Sequence, residues 1–175
     1  MKAVRKLPAM KTVRQLLGCI LLSLLSSPLW ALPTDRAQAI HIESDSATRN
    51  DKTGITIYTG SVKIKQGSLN ISADKVTVYS EANVVSKIVC LGKPAVYQQQ
   101  PKAEDEIMIA RANTIEYQLT KEIMVLTGDA SVDQAGSTLK GPVINYDIKA
   151  EQMQASGEGR VQMVIPPSQQ AESTR

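Results

Sequence analysis

The stretch from Thr59 to Tyr79 reads TGSVKIKQGSLNISADKVTVY and contains two runs of alternating apolar and polar residues joined at glycine. Val62 and Ile64 alternate with Lys63 and Lys65; beyond Gly67, Leu69, Ile71 and Ala73 alternate with Asn70 and Ser72, and Val76 and Val78 with Lys75 and Thr77. Period-two alternation places one set of side chains on one face of a sheet. Gly67 marks a turn or bulge.

Imperfect copies of this unit fill the rest of the chain. GITIYTG ends at Gly60, SKIVCLG at Gly92, EIMVLTG at Gly128 and EQMQASG at Gly157, so the glycines are spaced by 32, 36 and 29 residues. A second element recurs as ADKVTVY from Ala73, ANTIEY from Ala112 and GPVINY from Gly141. A period of about 30 residues marks a repeat architecture whose units bury their apolar faces by stacking on their neighbours. Apolar parity changes across two of the glycines: Ile55 and Ile57 are odd and Val62 and Ile64 even, and Val125 is odd and Val132 even. A one-residue slip turns a strand's apolar set to the other face, so each glycine is expected to host a bulge, corner or tight turn. No phosphate-binding glycine spacing is present.

Residues 1–31 read as a cleavable secretory signal. Lys2, Arg5, Lys6, Lys11 and Arg14 form a basic start without an acid; a ten-residue apolar run, Leu16 to Leu25, follows; and cleavage is expected after Ala31. As a helix, ten residues span about 15 Å, half of a hydrocarbon core. The sequence Leu16-Leu17-Gly18-Cys19 has the look of a lipoprotein box, but the apolar run continues past Cys19. Without the signal, 15 basic residues face 17 acidic ones, a net of −2 over 144 residues. That balance gives no reason to expect a nucleic-acid partner.

The 144 residues suit one domain, expected over 32–167, with a polar, disordered tail at 168–175. The interior must be built from Ile, Val, Leu, Met and five tyrosines, because there is no phenylalanine and the single tryptophan, Trp30, lies in the signal. These aliphatic residues favour strands, and the fold class is read as all-β. Residues 33–39 are expected to be a mobile start, Ser44 to Lys52 to hold one short helical turn, Glu81-Ala82-Asn83 to turn, and Gln98 to Glu106 to form an exposed loop.

Catalytic signals are sparse. His41 is the sole histidine, which excludes His-based triads and multi-histidine metal sites. It alternates with Ile40 and Ile42 and is expected in solvent. Glu104, Asp105 and Glu106 could be read as an acid–base or calcium cluster, but consecutive carboxylates in a polar loop without EF-hand spacing read as solvated. Cys90, the only cysteine after cleavage, is flanked by Ile88, Val89 and Leu91 and reads as a small buried hydrophobe. No enzyme, metal or cofactor is indicated.

IHIESD at 40–45, TGSVKIKQGSLNISADKV at 59–76, GKPAVY at 92–97, VLTG at 125–128 and LKGPVINYDIKAEQMQA at 139–155 resemble the OstA-like family of periplasmic lipopolysaccharide-transport proteins. The likeness runs through residues 40–168, and the order and spacing of the motifs carry it. The resemblance implies an open, twisted β-jellyroll of about sixteen antiparallel strands, two sheets forming a V around an apolar groove, and a bridge that carries lipopolysaccharide across the periplasm. By family position, Ile40, Ile42, Tyr97, Tyr117 and Leu119 correspond to groove residues that meet the lipid A acyl chains; Tyr97 stands where the family often has phenylalanine. Read from the residues alone, the same five serve equally as ordinary core. The net of −2 argues that an anionic headgroup stays outside the groove. The resemblance further implies an inner-membrane exporter component at the N-terminal edge and an outer-membrane translocon at the C-terminal edge.

Two alternatives stay open at this point: an inner-membrane-anchored sister component of the same fold, and a structural periplasmic β-repeat protein. Ile40, His41 and Ile42 open the first strand, and Arg160 to Ile165, with Val161, Gln162, Met163 and Val164, form the last. Neither has a proline inside, so both edges are left available for head-to-tail self-association.

Overall fold

In the computed structural model, which describes residues 35–100 and 106–167, ten strands form one antiparallel sheet. The signal segment, Glu104, Asp105 and the tail at 168–175 lie outside the described residues. The strands are β1 (His41–Glu43), β2 (Ser46–Asn50), β3 (Ile55–Gln66), β4 (Leu69–Glu81), β5 (Val84–Gln99), β6 (Met108–Gln118), β7 (Ile123–Gln134), β8 (Ser137–Asp147), β9 (Gln152–Ser156) and β10 (Gln162–Val164). From β3 to β8 each strand pairs with the next. Ala82 and Asn83 join β4 to β5, both with positive φ (49° and 65°), which is the turn that the right-handed twist of a hairpin favours.

Every long strand slips in register at the same level of the sheet, and β5 slips a second time at Ser86, near its start. The aligned slips fall at Gly60–Ser61 in β3, Asp74 in β4, Gly92–Pro94 in β5, Asn113 in β6, Gly128–Asp129 in β7 and Pro142 in β8. The glycine repeat thus marks every second strand, and the element beginning at Ala73, Ala112 and Gly141 marks the strands between; one repeat is one hairpin. This line explains the strand count. The sheet has ten strands rather than about sixteen because the long strands continue through their bulges.

Insert length decides the face. One inserted residue in β4, β6 and β8, and three in β5, move the inward set from one parity to the other. In β4, Ile71 and Ala73 are buried before the slip and Val76 after it; in β6, Met108 and Ala110 give way to Ile115. In β3 and β7 the insert is two residues, and parity is kept. Tyr58, Val62 and Ile64 all turn inward, as do Met124, Leu126, Ala130 and Val132. The expected parity change at Gly60 and Gly128 is therefore wrong: Ile55, Ile57 and Val125 belong to the opposite face. Both residues of each insert hold positive φ (Gly60 83°, Ser61 44°, Gly128 79°, Asp129 50°), a conformation glycine adopts without strain.

The line of slips also divides the pairing of the outer strands. On one side of it β1 pairs with Lys63–Lys65 of β3, and β10 with Thr138–Lys140 of β8. On the other side β2 pairs with Ile55–Thr59, and β9 with Val143–Asp147. Along the line Val76, Cys90, Ala95, Ala112, Ile115, Leu126 and Ile144 are all at most 2% exposed, and Tyr97, Met108 and Met124 are buried as deeply away from it. Alanines and the buried Gly92 concentrate there because backbone must pass close to backbone.

Three local expectations are corrected. Ser46–Asn50 is a strand and not a helical turn, because the outer half of β3 would otherwise leave its N–H and C=O groups unpaired. Asp35–Ala37 is a 3-10 turn, anchored through Asp35, where a mobile start was expected. Gln98 and Gln99 extend β5 and are not loop.

Candidate functional site

The strand halves on the two sides of the slips share a largely apolar cavity of about 430 Å³, within the usual range for ligand pockets. Ile64, Leu69, Ile71 and Tyr97 line it from one side of the line, and Val78, Val85, Ile88, Tyr117 and Leu119 from the other. Tyr97 in β5 and Tyr117 in β6 are not cross-strand partners, since Tyr97 faces Ala110 and Tyr117 faces Ile88. Their rings nevertheless meet edge to face, with centroids 6.4 Å apart and planes at 77°. That contact reaches from one set of halves to the other.

A polar cluster closes one end. The Tyr97 hydroxyl donates to Gln99 Oε1, and Gln99 Nε2 donates to Asp35 Oδ2 at 3.0 Å. The Ser68 N–H donates to Asp35 Oδ1 at 2.8 Å and the Ser68 hydroxyl to Oδ2 at 2.5 Å. Burial pushes the Asp35 carboxyl up, but the hydrogen bonds from Ser68 and Gln99 outweigh it and hold the group below its ordinary value. Asp35 thereby ties the start of the fold to the β3–β4 turn, where a Cβ on Gly67 would fall 2.1 Å from its carboxylate.

The structure brings together four of the five residues singled out in the sequence: Ile40, Tyr97, Tyr117 and Leu119 all line the cavity. Tyr97 is 2% exposed, so it is at once core and wall. Ile42 lies alongside, opposite Ile64 in the β1–β3 ladder and packed on the core, without lining the cavity. Sequence reasoning missed Val85 and Ile88, since nothing in VVSKIVCLG tells which residues face the opposing halves, nor that the register shifts at Ser86 between them. It also missed the Asp35–Gln99–Tyr97 chain, whose partners are 64 and two residues apart.

Cys90 is 2% exposed and burial pushes its thiol up to about 12, so no thiolate is available at neutral pH. His41 lies exposed on β1 opposite Lys65. Among the described residues no three His, Cys, Asp or Glu side chains converge to hold a metal ion, and no helix is long and apolar enough to cross a membrane.

The outer strands place the expected edge residues at opposite ends of the sheet order, β1 at one end and β10 at the other. The strands are shorter than expected: Ile40 precedes β1, and Val161 and Ile165 flank β10. Val161, Met163, Val164 and Ile165 are 42–62% exposed, which leaves an apolar surface beside β10. Below it, a second cavity of about 380 Å³ is lined by Val132, Leu139, Met153, Val161 and Met163.

Comparison with known proteins agrees with this geometry. The family model described as LptA/(LptD N-terminal domain) LPS transport protein matches residues 41–152. The lipopolysaccharide export system protein LptH of Pseudomonas aeruginosa is 35% identical over 157 residues, 84% of this chain and 90% of its own length. The lipopolysaccharide export system protein LptA of Escherichia coli K12 is 38% identical over 167 residues, 91% of this chain and 89% of its own. The crystal structure of the Pseudomonas LptH is described as that of the LptA-homologous periplasmic component of the conserved lipopolysaccharide transport device. It matches with a TM-score of 0.71 at 35% identity, over 77% of this chain and 100% of that one. An antiparallel all-β sheet left open at both ends, with an apolar cavity between its strand halves, here goes with a sequence match through almost all of its strands: the chain belongs to the LptA/LptD N-terminal-domain family of lipopolysaccharide-transport proteins.

Proposed function

We propose that this protein carries lipopolysaccharide through the periplasm, with its acyl chains held between the two sets of strand halves. The halves act as the two sheets of an open jellyroll, a V whose apex is the line of slips and whose opening is the apolar cavity. The observation that carries the reading is that cavity, walled by aliphatic side chains and the Tyr97–Tyr117 pair in a chain of this family. Each methylene moved from water into it contributes about 0.8 kcal/mol without any directed contact. Such a wall holds flexible chains and also lets them slide, which suits a carrier better than a deep, shaped pocket. Ile40, Tyr97, Tyr117 and Leu119 meet the acyl chains, and Ile42 stands beside Ile64 on the same face. The site performs no bond chemistry.

Export after cleavage at Ala31 delivers the carrier to the periplasm. There β1 and β10 offer edges to other chains: an inner-membrane exporter component at the β1 end, an outer-membrane translocon at the β10 end, and further copies of the protein head to tail. Heterologous pairing of this kind does not close and extends the apolar track from one copy into the next.

The test places a photo-crosslinking residue at Leu119 or, as an outward-facing control, at Thr77 of the exported protein. Lipopolysaccharide adducts at 119 and none at 77 are expected. Equal labelling at both, or at neither, would refute the groove. The N-terminal residue of the same preparation should be Leu32; Met1 or an acylated Cys19 would refute the export reading.

A further inference from the structure

A polar cleft of about 440 Å³ adjoins the apolar cavity and shares Val78 and Val85 with it. Arg49, Asp51, Lys52, Tyr58 and Asn83 line the rest. Arg49 lies in β2 opposite Thr56 of β3, two residues from the pair Ala47 and Tyr58. Cross-strand partners, and residues two apart, share a face. Tyr58 packs on the core, so Arg49 leaves β2 on the side of the cavity. The turn that follows is fixed by Asn50, whose Oδ1 accepts the N–H of Lys52 at 3.0 Å and that of Thr53 at 3.3 Å. Arg49 Nε donates to Asp51 Oδ1 at 2.5 Å, which orients the guanidinium and leaves its other donors for a further acceptor. Two cations and one carboxylate make this cleft locally positive, in a chain whose net is −2 once the signal is removed.

We infer that the cleft is a headgroup subsite, in which Arg49 and Lys52 bind the phosphate of a lipid whose acyl chains occupy the adjoining apolar cavity. This rests on the lipid-carrier reading above. The amphiphile supplies what the two cavities together demand: an apolar part beside Val78 and Val85, and an anion within reach of the cations. A planar guanidinium matches phosphate oxygens in pairs, while lysine adds a point charge. The side chains of Arg49 and Asp51 are 68% and 79% exposed, so a phosphate here keeps much of its water and avoids the cost of burying a charge. The same exposure, with Asp51 close by, makes the attraction modest and sensitive to salt. The net negative charge of the mature chain is therefore no guide to where a headgroup rests; local cations decide.

The test compares binding of bisphosphorylated lipid A and its dephosphorylated form to the exported protein and to the double variant Arg49→Ala, Lys52→Ala, at about 50 and about 500 mM salt. Both side chains are solvent-facing, so the variant should melt with the parent. The parent should prefer the phosphorylated lipid by about tenfold at low salt, the scale of one hydrogen bond to a charged group, and lose the preference at high salt. The variant should bind both forms as the parent binds the dephosphorylated one. A variant that keeps the preference would overturn the subsite. So would inorganic phosphate that displaces the lipid at equal concentration, which would mark a free-anion site. A parent that binds neither lipid would refute the carrier reading itself, and the subsite with it.

Discussion

Replacing Ile88 by aspartate separates a groove from a core most sharply when it is compared with the same change at Ile115. Both isoleucines lie on the inward face, in the neighbouring strands β5 and β6. Ile88 is partly exposed, sits between Val78 and Tyr117 in the ladder and lines the apolar cavity. Ile115 is 1% exposed, beside Cys90 and Leu126. Full burial of an isoleucine is worth about 1.5–3 kcal/mol, so the partly buried Ile88 side chain contributes about 1 kcal/mol. A carboxylate there can keep water on its cavity side, which adds about 1 kcal/mol rather than the cost of an enclosed charge. The total of about 2 kcal/mol lowers Tm by about 8 °C in a body of this size. At Ile115 the full transfer term is lost and the charge has no water, a loss of more than about 4 kcal/mol out of a total stability of roughly 5–15 kcal/mol. Ile88→Asp should also displace two or three methylenes of a bound chain, about 2 kcal/mol or about thirtyfold in Kd. Thermal melts by circular dichroism and lipopolysaccharide titration read both effects. The reasoning is wrong if Ile88→Asp unfolds the protein as Ile115→Asp does, or if it folds and binds lipid like the parent.

Gly128→Ala imposes φ near +79° on an L residue and brings a Cβ to 2.8 Å from Asn113 Nδ2; it should cost about 1–2 kcal/mol in chemical denaturation and leave lipid affinity unchanged. Asp35 has its folded pKa lowered, so its stabilisation is present above its ordinary value of 3.8 and is lost as pH falls through the folded value; Asp35→Asn should flatten that acid limb of the melting profile, and an unchanged limb would show that Asp35 does not carry it. At the β10 edge, Gln162→Pro with Val164→Pro is compared with Met163→Pro, because alternate residues of an edge strand point their N–H groups to opposite sides. One of these proline sets should disperse concentration-dependent oligomers in light scattering without lowering Tm. A parent that stays monomeric at every concentration, or oligomers that survive both proline sets, would exclude pairing through β10.

Strand character was legible along the chain because alternation is local: VKIK, LNIS and KVTV state their period within four residues. The repeat was legible for the same reason, and the glycines at 60, 92 and 128 do stand at slips in the register. Four of the five residues marked by family position meet in one cavity, a placement that family position alone could suggest. The face each half-strand presents was not legible. It depends on whether a slip inserts one, two or three residues, and that number is defined only against the neighbouring strand. Gly60 and Gly128 are each followed by a second residue of positive φ, so parity survives there, whereas Asp74 and Asn113 stand alone and reverse it. β2 likewise has no apolar alternation of its own and exists because β3 offers it a ladder. The cavity belongs to the tertiary structure for the same reason. Burial of Ile115 and exposure of Ile88 are not properties of either isoleucine but of what the neighbouring strands bring to each: Cys90 and Leu126 flank Ile115, while Ile88 faces the cavity.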